Sequence, residues 1–147
     1  MSEAIPTHPT KKLWSIGQIS VGTFLAGPIG GCFLISQNFK ALGEEKSAKR
    51  TFWFGFLGTL LFFAALFSIP EYIIEKVPNV IFPAVYTTLL TSFARTRQKS
   101  AIEQHLSQGG KRRSHFKLIG ISILFLLLLL GIAFGMFFLG MGADIID

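Results

Sequence analysis

The sequence predicts an all-α fold, a small polytopic membrane protein in which residues 1–147 form a single membrane domain of four transmembrane helices, and three observations predict it. Leu118 to Ala143 run twenty-six residues without a charge, an amide or a proline. About twenty apolar residues at ~1.5 Å rise cross the ~30 Å hydrocarbon core of a bilayer, and no soluble domain of this size could bury such a helix on all sides. Half of the chain is hydrophobic, with sixteen Phe and only 15% charged residues. The fourteen Lys and Arg behind a formal net charge of +6 sit between the apolar runs, which marks membrane topology rather than a nucleic-acid-binding surface. No nucleic-acid partner is therefore expected.

Residues 1–12, MSEAIPTHPTKK, contain two prolines and no apolar periodicity, so a disordered tail is expected there, with His8 solvated. The first apolar run, about 14–37, is rich in small residues. On a continuous helix Gly17, Ser20, Thr23, Gly27, Gly30 and Gly31 fall within roughly 140°, a flat face suited to close helix packing. Pro28 is expected to kink the span, and Gln18 and Gln37 to be hydrated at its two ends. Two other readings exist for this run. Lys11-Lys12 followed by apolar residues resembles a signal peptide, and Ile29-Gly30-Gly31-Cys32 a lipoprotein cleavage box, but the run continues through Phe33, Leu34 and Ile35. The alternative architecture is a re-entrant hairpin turning at Gly27-Pro28, which leaves three spans. The length of the run favours a full crossing.

The connection 38–50 is short and basic, with Gly43 placed to stop the first helix and Glu44 and Glu45 suited to the start of the next. The second span, 51–69, carries Trp53 near its start and a small face of Gly55, Gly58, Thr59 and Ala65. That face is the expected partner of Gly27, Gly30 and Gly31. Residues 70–79 form a short loop with Tyr72 at headgroup level. The third span, 78–94, is the thinnest, with Pro78 in its first turn and Pro83 bending it. The connection 95–116 is the most basic: Lys99 and Glu103 lie one turn apart, Ile102 and Leu106 share a face, and Gly109-Gly110 stops the helix. His105 and His115 are read as solvated or interfacial. Lys111, Arg112 and Arg113 are expected to contact anionic lipid headgroups just before the last span, 117–142. In that span Gly120, Gly131, Gly135 and Gly142 share a narrow edge, so docking through Gly131 and Gly135 is expected.

Four basic residues in the first connection and seven in the third place eleven of fourteen in the cytoplasm if four spans hold, with both termini outside. The hairpin raises the count to thirteen of fourteen by bringing in Lys11 and Lys12. None of the four runs contains Asp, Glu, Lys, Arg or His, which argues against ion-coupled transport. No HExxH, GxSxG, P-loop or paired intramembrane carboxylate appears, so no catalytic, metal or cofactor site is expected. One cysteine, Cys32, permits no intrachain disulfide.

Gln18-Ile19, Thr23-Phe24-Leu25-Ala26-Gly27-Pro28, Gly30-Gly31, Asn38-Phe39 and Ala41-Leu42-Gly43 together resemble a pattern in small, uncharacterised multi-pass membrane proteins of bacteria. The resemblance implies a bacterial inner-membrane location and carries no activity, ligand or catalytic residue with it. The expected role is non-enzymatic association or assembly, with itself or with other membrane proteins, through small-residue helix faces. An oligomeric channel and an immunity-type protein that binds a toxin are the rival classes.

Overall fold

The computed structural model describes residues 11–145, so the expected disordered tail, apart from Lys11 and Lys12, and His8 with it, lie outside the described residues. Among the described residues the chain is helical, with α1 at Ile16–Ala41, α2 at Glu45–Ser68, the single turn α3 at Glu71–Ile74, α4 at Ile81–Ser107 and α5 at His115–Asp144. By length and composition α1, α2 and α5 are apolar enough to cross a membrane. Four such helices are not present among the described residues, because α4 devotes its second half to the basic stretch after Phe93 and falls short.

The largest departure from expectation is in α1. Gly27 has φ 75° and ψ −176°, a conformation that breaks the helix into two arms, 16–26 and 28–41. The arms fold back on each other. The backbone N–H of Trp14 donates to Asn38 Oδ1 at 2.8 Å and the indole Nε1 donates to Gln37 Oε1 at 2.8 Å. In an unbroken helix Trp14 and Asn38 would stand about 36 Å apart. Further along, a Cβ on Gly22 would fall on Leu34, and one on Gly31 on Thr23. The single straight crossing expected for 14–37 is thus replaced by a helical hairpin, and Gln18 and Gln37 lie at the same end.

The chemistry of the turn is local. Gly27 occupies a backbone region essentially closed to other residues. Pro28 then opens the second arm, where its missing N–H is one the helix would leave unpaired anyway and its fixed φ suits a first turn. Ser15 caps the first arm by accepting from the Gln18 N–H, while Gln18 Oε1 accepts from the Ser15 N–H. Gly43 and Gly109, with φ 84° and 85°, end α1 and α4 as expected. Pro83 sits in the first turn of α4 and needs no bend there, and Pro78 lies in the loop before it.

The hairpin is the core. Of the fourteen buried hydrophobic residues among those described, nine lie between Leu13 and Phe39. Helices α2, α4 and α5 each pack against α1 and touch one another little. One apolar cluster gathers at the hairpin base around Trp14, Ile19, Leu34, Ile35 and Phe39, with Ala48, Ala94 and Leu118 brought in from the sheath. A second surrounds the tip, where Ala26 and Ile29 meet Phe125. The register follows: Gly55 of α2 lies on Cys32, Leu90 of α4 near Gly31, and Leu129 of α5 at Gly27. Beyond the tip, 60–68 of α2 and 130–144 of α5 contain no buried residue.

Gly27→Ala adds a Cβ where φ is positive and where Leu129 already sits, so we expect a loss of at least roughly 1–3 kcal/mol. Gly58→Ala, where a Cβ meets nothing within 4 Å, should be neutral or stabilising by up to about 1 kcal/mol. Thermal unfolding of both variants in one detergent checks the contrast, and equal behaviour would contradict the turn.

Candidate functional site

A buried polar network joins three parts of the chain where the hairpin opens. Asn38 is fully buried, and its carboxamide acts as a backbone mimic: Oδ1 accepts from the Trp14 N–H, and Nδ2 donates to the Trp14 carbonyl at 2.8 Å. Asn38 Nδ2 also approaches Gln98 Oε1 at 3.3 Å, and Gln98 Nε2 donates to the Ile35 carbonyl at 2.9 Å. Gln98 is likewise fully buried. One carboxamide closes the hairpin and the next ties it to α4. Ser36 Oγ donates to the Ala48 carbonyl at 2.7 Å and holds α2 to the second arm.

The segment before α5 completes this base. Leu13 N–H donates to the Lys111 carbonyl at 3.3 Å and Arg113 N–H to the Leu13 carbonyl at 2.9 Å, a short parallel bridge between distant parts of the chain. Gln18, buried and not hydrated as expected, donates through Nε2 to the Arg113 carbonyl at 2.7 Å. Arg113 Nε donates to the Lys12 carbonyl at 3.1 Å, and its guanidinium lies 5.4 Å from the centre of the Trp14 ring. Its burial lowers its pKa from the ordinary arginine value. Of the three residues expected at headgroups, Lys111 and Arg112 are exposed, whereas Arg113 turns inward as a clamp. His105 is also buried rather than solvated, its ring against Gly110.

Folding the first run in two carries Lys11 and Lys12 to the end that holds the other basic connections. Lys11, Lys12, Lys40, Arg113 and Lys117 line one open basin of about 760 Å³ that Glu45 and Gln37 also border. A second concavity, about 290 Å³, lies between α2 and α4 over the second arm of α1. Cys32 and Phe39 form its floor, Phe54, Leu90 and Phe93 its apolar walls, and Ser47, Arg50, Thr51 and Arg97 its polar end. Hydropathy alone could not find this crevice, because its residues come from three separate runs.

The small-residue faces find partners other than those expected. Gly27 packs on Leu129 and Gly30 on Phe125, both of α5, while Gly31 meets Thr23 of the opposite arm and Leu90 of α4. Gly55 does face the hairpin, through Cys32, and Thr59 is fully buried with its hydroxyl donating to the Gly55 carbonyl at 2.7 Å. Gly58, Gly131 and Gly135 have nothing within 4 Å of an added Cβ and lie on the outside of the chain. Among the described residues no three His, Cys, Asp or Glu side chains gather as metal ligands would.

Asn38→Leu leaves the Trp14 N–H and carbonyl buried without partners, which costs roughly 2–4 kcal/mol. Lys40→Ala, at an exposed position two residues on, should change stability by less than about 0.5 kcal/mol. Unfolding in detergent distinguishes them, and a mild Asn38→Leu would show that the base does not depend on this side chain. No protein-family model, curated protein or solved structure matches the chain.

Proposed function

We propose that the protein is a bacterial inner-membrane association or assembly factor, non-enzymatic, in which α2, α5 and the short apolar first half of α4, up to residue 94, span the membrane around an amino-terminal re-entrant hairpin. The reading rests first on charge: thirteen of the fourteen Lys and Arg then fall on the cytoplasmic side, leaving Lys76 across the membrane. It also puts the two termini on opposite sides. The depth of the hairpin agrees, since its tip meets Leu129, near the middle of the apolar stretch of α5. Backbone broken at that depth is tolerated only where protein shields it, and here Leu129 and Phe125 cover Gly27 and Gly30.

The observation that carries the association reading is the unequal filling of the two halves. On the hairpin side the sheath helices have a core, whereas past the tip α2 and α5 contribute no buried residue over 60–68 and 130–144. About 22 Å of α5 extends past Leu129 with no buried residue. Its outer glycines, Gly131 and Gly135, are where another helix could approach closely, because in lipid helices associate through backbone proximity and not through apolar burial. A pore is the weaker reading, since the hairpin fills the axis with Ile19, Ile29, Leu34 and Ile35.

The test is Gly131→Leu together with Gly135→Leu. Both positions are open in the chain, so the unfolding temperature should hold while co-purification of a membrane partner, or self-association followed by crosslinking in mild detergent, falls at least fivefold. Undiminished association with normal stability would rule out this face.

A further inference from the structure

We propose that the crevice between α2 and α4 binds an anionic phospholipid from the leaflet at the basic end, its phosphate between Arg50 and Arg97 and an acyl chain laid along Phe54, Leu90 and Phe93. The crevice is sorted by polarity along its length. On α2, Arg50 stands one turn from Phe54, and on α4, which runs the opposite way, Arg97 stands one turn from Phe93. Both helices therefore set a guanidinium on the basic-end side of a phenyl ring, which is the order of charge and hydrocarbon in a phospholipid. Helices α2 and α4 meet past the crevice through Phe62 against Phe82 and Tyr86 and otherwise touch one another little, so the crevice opens sideways, toward the acyl chains.

Electrostatics select the headgroup. No Asp or Glu lines the crevice, and among the described residues the one ion pair is Lys99 with Glu103 at 4.0 Å, so no carboxylate neutralises Arg50 or Arg97. Arg97 is held in place, its guanidinium 6.0 Å from the ring centres of both Phe39 and Phe93. Guanidinium groups pair with phosphate through two parallel hydrogen bonds, and basic pockets between membrane helices on the cytoplasmic side recognise anionic headgroups. A free phosphate would use the arginines but leave the Cys32, Phe54 and Leu90 surface unfilled. The wider basin at Lys11 and Lys40 lacks this design, since Glu45 borders it and it has no apolar limb.

The full chain is purified, stripped of lipid, and titrated with phosphatidylglycerol or phosphatidylcholine in mixed micelles, with bound lipid counted by native mass spectrometry. Phosphatidylglycerol should be retained at least fivefold over phosphatidylcholine, and Arg50→Gln with Arg97→Gln should abolish that preference. Lys111→Gln with Arg112→Gln, equal in charge removed but outside the crevice, should leave it intact. Inorganic phosphate in tenfold excess should fail to displace the lipid. All four positions are exposed, so folding is not at stake, and unchanged unfolding temperatures check it. Equal loss in the two double variants would show diffuse surface attraction, displacement by phosphate would show a simple anion site, and no preference at all would show no site; each overturns the proposal.

Discussion

Everything in this molecule depends on the carboxamide of Asn38 reaching the backbone of Trp14. A chain that enters a bundle, turns and leaves again at the same level must bring two distant segments together, and here a buried side chain supplies the hydrogen bonds that a neighbouring strand would otherwise provide. Gln98 extends the same logic to α4, and the Leu13 bridge extends it to the segment before α5. The carboxamides of Asn38 and Gln98 and the backbone of Trp14 satisfy one another, which lets them sit inside a base otherwise made of Trp14, Phe39, Ile35 and Leu34.

From that closure two asymmetries follow. The first is electrical, because doubling the amino-terminal run back returns Lys11 and Lys12 to the side of the other basic connections. The second is one of packing. A hairpin with arms of eleven and fourteen residues reaches only about half the depth of the longest helix, so three sheath helices have a filled half and an unfilled one. The filled half is rigidly specified by polar networks and close glycine contacts. The unfilled half presents Phe, Leu and Gly to whatever surrounds it, which is the physical basis for reading the protein as one that associates.

Local features were legible in the sequence and directional ones were not. The helix stops at Gly43 and Gly109, the Lys99–Glu103 pair and the extents of α2 and α5 follow from a few adjacent residues. The direction of the first run does not, because hydropathy counts apolar residues and is blind to whether they continue or return. The Gly27-Pro28 dipeptide marks the break, and the length of the apolar run masks it. The glycine partners failed for the same reason: a wheel drawn through a continuous helix loses phase at Gly27, so Gly30 and Gly31 do not share a face with Gly17 and Ser20. The pairing of Asn38 with Trp14 spans twenty-four residues, and no periodic pattern encodes it. The α2–α4 crevice needed the fold before its arginines could be seen as neighbours.

The folded-back path is tested most directly by the distance between its ends. Spin labels on Lys12→Cys and Lys40→Cys, in a Cys32→Ala background reconstituted in lipid, report it by pulsed electron resonance. Both positions border the same basin, so the hairpin predicts a separation less than half of the roughly 42 Å that an unbroken helix of that length would impose. A distribution centred near the full helical length would contradict the hairpin and everything built upon it.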